Sequence, residues 1–111
     1  MGLMVTNMEG DKNQEPINNI DRLIHEPSRL TIMAHLYVVE SADFLFMVNQ
    51  TGMTWGNLSA HLSKLETAGY VTINKEFLDK KPHTMLSLTN EGKIAFEEYR
   101  RNMKIVLNNI P

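Results

Sequence analysis

The chain has 111 residues, a formal net charge of −2, 42% hydrophobic and 22% charged residues. That length is room for one domain, and the composition is that of an ordinary folded soluble protein. The longest apolar patch, Phe44–Val48, is far short of the roughly 20 residues of a membrane span, and with no cysteine there is no disulfide and no thiolate metal site.

The charge is unevenly spread. Residues 1–53 hold three Lys/Arg against seven Asp/Glu, while residues 54–111 hold eight against six. A strongly basic nucleic-acid binder is excluded, but one basic face is not.

Residues 1–16 mix Asn, Gln, Glu, Asp, Lys and Gly without an apolar period, which predicts a disordered leader. They lack the basic start and apolar stretch of a signal peptide, so a cytoplasmic location is expected. Pro16 suits a helix start, and Ile17, Ile20, Leu23 and Ile24 form one stripe, predicting a first helix. Pro27 ends it and opens the next. Leu30, Met33, Leu36 and Tyr37 form the stripe of that second helix, with Ile32 and Val39 beside it. Ser41-Ala42-Asp43 breaks the pattern. Phe44–Asn49 predicts a short third helix, closed by Gly52. Thr54 is placed to cap a fourth helix, whose stripe is Leu58, Leu62, Leu65 and Ala68 and whose stop is Gly69.

The period then shifts. Residues 70–75 alternate and are rich in β-formers, and Thr84–Leu88 reads as their partner strand. Asp79-Lys80-Lys81-Pro82 predicts a polar turn between them. Thr89 can cap a last helix over about 89–109, with Glu91 suited to its positive end. The expected fold is mainly α with a small β-hairpin, in one domain over residues 17–111. Helices three and four, separated only by residues around Gly52, have the shape of a helix-turn-helix, and a hairpin directly after it is a wing.

The segments Glu26–Met33, Thr54–Glu66, Ala68-Gly69-Tyr70-Val71 and Leu88-Thr89-Asn90-Glu91-Gly92 resemble the winged-helix DNA-binding domains of the MarR and ArsR types of regulator. The likeness runs from about Ile17 to about Leu107. It implies that the fourth helix is the recognition helix, that the hairpin reaches the DNA backbone or minor groove, and that the last helix helps to make a dimer. The chain departs from the family at Ala60 and Ser63, which stand where members often carry basic residues, and at Trp55, where the family more often has a polar residue.

A helical wheel places Leu58, Leu62 and Leu65 toward the core. The outward face then carries Gly56, Ala60, Ser63 and Thr67, flanked by Ser59 on one side and by Asn57 and Lys64 on the other. Such small and hydrogen-bonding groups suit a helix pressed into a major groove, and the free N–H groups near Thr54 suit a phosphate. The same pattern also fits a solvated amphipathic face. His61 sits at the edge of the apolar stripe, where it braces the fold or, as the minor reading, meets a base. Trp55 packs under the hairpin, against helix three, or approaches a ligand or DNA.

Lys80, Lys81 and His83 beside Pro82, with Lys75 nearby, suit backbone or minor-groove contact, although Glu76 and Asp79 dilute the charge. Phe96, Tyr99, Met103, Val106 and Ile110 recur at three, four, three and four. That is a heptad seam, expected to face a second copy at least in part.

Catalysis finds no motif: there is no glycine-rich phosphate loop and no pair of His at metal spacing on a helix. No cofactor is expected; a regulator that responds to a small-molecule effector, held between the dimer helix and the core, stays open, with no residue that identifies the ligand. The expectation is therefore a homodimeric regulator of double-stranded DNA that is not an enzyme. The alternative is a winged-helix module that dimerises and binds protein without touching DNA.

Overall fold

The computed structural model describes residues 16–110. Four α-helices and a three-stranded antiparallel sheet follow a short 3-10 turn over Pro16–Asn19. The helices are α1 (Pro27–Val39), α2 (Phe44–Thr51), α3 (Trp55–Thr67) and α4 (Asn90–Asn108); the strands are β1 (Ser41–Asp43), β2 (Val71–Leu78) and β3 (Lys81–Leu88). The sheet order is β1-β3-β2.

Three of the four α-helices start on a side-chain cap, and α2 follows Asp43 without one. Pro27 opens α1, and the Glu26 carboxylate accepts from the Arg29 N–H at 2.7 Å. That backbone N–H is the main reason the Glu26 carboxyl lies below its ordinary pKa; His61 and Arg29 act the same way, against desolvation. Thr54 Oγ1 caps α3 by accepting from Asn57 N–H at 3.1 Å. Thr89 caps α4 by accepting from Gly92 N–H at 2.9 Å, and its own hydroxyl donates to the Gly69 carbonyl at 2.6 Å. The start of α4 is thereby tied to the turn that follows α3.

Gly92 is required at that joint. A Cβ there would lie 2.1 Å from the Tyr70 carbonyl oxygen, and that carbonyl already accepts from Thr89 N–H. Backbone on both sides leaves no route for relaxation.

The core gathers one face of every α-helix and strand. Ile32, Met33 and Leu36 come from α1, Phe44 and Met47 from α2, and Leu58, Leu62 and Leu65 from α3. Val71, Leu86 and Leu88 line the sheet, and Phe96 and Tyr99 close the core from α4. The leucine stripe of α3 is thus buried as its spacing predicts.

The structure corrects three expectations. The first predicted helix is only the 3-10 turn, because Asp21 Oδ1 accepts from Leu23 N–H and Ile24 N–H at 2.9 and 3.2 Å. A side chain that takes over backbone donors competes with helix formation. Ile20 and Ile24 still reach the core, so their apolar spacing reflected burial and not a helix.

Second, Ser41–Asp43 is not a mere break. It is a strand paired with residues 85–87 of β3. Three residues are too few to show a period, and the partner strand lies distant in sequence. Third, the hairpin is longer and its turn tighter than expected. Only Asp79 and Lys80 form the turn, both at positive φ (53° and 66°), as in a type I′ hairpin. Lys81 and Pro82 belong to β3. Pro82 is tolerated because it sits opposite Phe77 in the second pair from the turn. In a two-residue hairpin that pair exchanges no hydrogen bonds, so the missing N–H faces outward. The expected leader lies, apart from Pro16, outside the described residues.

Candidate nucleic-acid interface

α2, the residues around Gly52 and α3 form the helix-turn-helix. Gly52 adopts a left-handed conformation (φ 73°) and donates its N–H to the Val48 carbonyl, which ends α2. Thr51 Oγ1 donates to the Met47 carbonyl and accepts from Met53 N–H. The angle between the helices is further held by Phe44 and Trp55, whose ring centroids lie 4.5 Å apart. Trp55 therefore packs against the first residue of the third predicted helix, one of the alternatives its sequence position allowed. It nevertheless stays 60% exposed.

The outward surface of α3 is as the wheel predicts. Gly56, Asn57, Ser59, Ala60, Ser63 and Lys64 are all exposed, and Thr54 is exposed at its start. These residues form one continuous, side-chain-poor surface. His61 does not belong to it. Its side chain is largely buried, and its Nδ1 accepts from Arg29 Nη1 at 3.2 Å and lies 3.9 Å from the Glu26 carboxylate. The same guanidinium donates through Nε to the Leu23 carbonyl at 2.6 Å. His61 thus ties α3 to the start of α1, the bracing role.

The wing stands beside α3. Between them lies a cleft of about 330 Å³ lined by Phe44, Trp55, Ser59, Leu62, Ile73, Lys75 and Thr84. Lys80 and Lys81 are exposed at the wing tip. His83 is separated from them: its Nδ1 lies 3.6 Å from Asp43 Oδ1, so it faces the β1–α2 junction. Two wing residues were not singled out in the sequence: Phe77 and Leu78 are 78% and 45% exposed. Reading Asp-Lys as a two-residue turn would have put them at its base.

The predicted dimer seam divides. Phe96 and Tyr99 are buried inside their own protomer, with Phe96 against Tyr37 and Tyr99 Oη 2.8 Å from His25 Nδ1. Burial raises the pKa of the Tyr99 hydroxyl. Met103 and Val106 pack partly on the same core, while Leu107 and Ile110 remain 59% and 61% exposed. Among the described residues no three His, Asp or Glu side chains converge as a metal site, and no helix is long and apolar enough to cross a membrane.

Comparison with known proteins agrees with this architecture. A family model described as a winged helix DNA-binding domain matches residues 28–107. An uncharacterised protein of Methanocaldococcus jannaschii is 33% identical over 78 residues, covering 70% of this chain and 85% of that protein. A transcriptional regulator homologue from Pyrococcus horikoshii superposes with a TM-score of 0.80 at 28% identity, over 85% of this chain and 95% of that one. A MarR variant from E. coli, in complex with operator DNA, shares the fold at a TM-score of 0.68 and 15% identity, over 96% of this chain and 76% of that one. With the helix-turn-helix, the wing and the match over most of its length, the chain belongs to the winged-helix DNA-binding domain family, and it shares its fold with the MarR protein.

Proposed function

We propose that the protein is a homodimeric transcription regulator that reads double-stranded DNA, with α3 in the major groove and the wing on the backbone or minor groove. The observation that carries this reading is the outward surface of α3. Asn57, Ser59, Ser63 and Lys64 offer donors and acceptors there, and Gly56 and Ala60 offer no bulk to hold a groove away. Thr54 and the first-turn N–H groups suit a phosphate. Lys80 and Lys81 add charge from the wing tip, whereas His83, turned to Asp43, contributes less than its sequence position suggests.

The outer end of α4 supports the dimeric part of the reading. Met103 and Val106 pack only partly on the protomer's own core, and Leu107 and, just past the helix end, Ile110 leave apolar surface exposed beyond them. A second copy related by a two-fold axis would cover them and set two α3 helices about one DNA turn apart.

Binding to a fluorescent mixed-sequence duplex, titrated with salt, tests the reading. Affinity should fall steadily as salt rises, and changing Lys80 and Lys81 together to Ala should weaken binding to all duplexes alike and reduce the salt slope by about 2. No binding at low salt would contradict it and favour a winged-helix module that binds protein, a reading the net charge of −2 supports.

A further inference from the structure

We propose that the wing is an apolar wedge: Phe77 enters the minor groove, parts a base step and bends the DNA. This inference rests on the DNA-binding reading and adds to it a residue and a deformation. Alternation along the hairpin carries the argument. Val71, Ile73, Lys75 and Phe77 share one face of β2, and their cross-strand partners Leu88, Leu86, Thr84 and Pro82 share that face of β3.

This face begins in the core, at Val71, Leu86 and Leu88. It continues as the wall of the cleft toward α3, at Ile73, Lys75 and Thr84. It ends at the tip with Phe77 opposite Pro82. No acidic residue lies on it. Glu76 lies on the reverse face, opposite His83, and Asp79 is in the turn. The side of the wing turned toward α3 therefore carries apolar residues, Thr84 and Lys75 but no carboxylate of the hairpin, with Asp43 of β1 the acidic neighbour beside Lys75 and Pro82.

Phe77 is 78% exposed, and as a large aromatic at a hairpin tip it contributes nothing to this protomer's core. It is also held stiffly. The turn has only two residues, and the ladder is continuous from Val71↔Leu88 to Leu78↔Lys81. Lys75 shares its face two residues nearer the core and Lys80 sits in the turn beside it, cations suited to phosphates along a groove, whereas Lys81, paired with Leu78, lies on the reverse face with Glu76. Apolar side chains presented this way unstack a base step and kink the duplex toward the major groove.

The test is a duplex of about 30 bp, bearing a donor and an acceptor dye at its ends, with anisotropy reporting binding and energy transfer reporting bending. The wild-type complex should show a rise in transfer corresponding to a bend of about 20–90°. Phe77→Ala should still bind, with affinity lowered about tenfold, but transfer should return to the value of free DNA. Phe77→Leu, which keeps an apolar wedge, should preserve the bend. Wild-type binding with no change in transfer, or a bend that survives Phe77→Ala, would overturn the wedge while leaving DNA binding intact. A Phe77→Ala protein that self-associates less in the absence of DNA would assign the tip to a second copy and also overturn it. Absence of any anisotropy change with wild type would remove the DNA reading itself, and the wedge with it.

Discussion

The inner half of α4 buries its apolar face in the protomer, with Gly92, Phe96 and Tyr99 all buried, whereas the outer half leaves Leu107 in water and the chain just past its end does the same with Ile110. The two halves carry the same spacing, three and four residues apart. A heptad pattern therefore states that a face will be covered without stating by what. The inner half meets α1, through Tyr37 and Phe96, and the N-terminal segment, through His25 and Tyr99. Asn102 donates to the Asn19 carbonyl at 3.2 Å, Met103 and Val106 still pack partly on the core, and the stripe outruns the protomer at Leu107.

The contrast can be broken from either end. Phe96→Ala removes a buried ring and should cost about 3–5 kcal/mol, a large part of the stability of a domain this small. Chemical denaturation would measure it, and a loss below about 1 kcal/mol would deny that the inner half is core. Changing Leu107 and Ile110 together to Glu should leave the fold intact but make the protein monomeric by light scattering. A persisting dimer would place the interface elsewhere.

A smaller effect sharpens the account of how the inner half is held. Tyr70 donates its hydroxyl to Asp21 at 2.5 Å, joining the start of the sheet to the N-terminal turn beside α4. Burial, aided by Asp21, pushes the Tyr70 pKa up to about 12 from 10.0. A raised pKa in the folded state means its stabilisation is complete below pH 10 and is lost as the pH rises from about 10 to 12. Tyr70→Phe should cost about 1 kcal/mol at neutral pH and flatten the alkaline fall. An unchanged slope between those pH values would show that other groups carry it.

The legible parts of the sequence were those fixed by local chemistry. Thr54, Thr89 and Pro27 mark helix starts, Gly52 and Gly69 mark ends, and the leucines of α3 state a buried stripe. The outward face of α3 followed directly from that stripe, since it is its complement. What escaped depended on distant partners or on competition. β1 is defined by residues of β3 far along the chain. The predicted first helix lost to the Asp21 side chain. His83 was grouped with Lys80 and Lys81 by sequence proximity, but the pleat turns it to Asp43. Glu76 and Asp79 made the wing look evenly mixed until the register separated its faces.

The central claim, that two copies of α3 read DNA together, is tested most directly by selecting bound sequences from a pool of random duplexes. The account predicts an enriched inverted repeat with half-site centres about 10–10.5 bp apart, or a multiple of that. A pool that stays random, or a lone half-site without a symmetric mate, would contradict it.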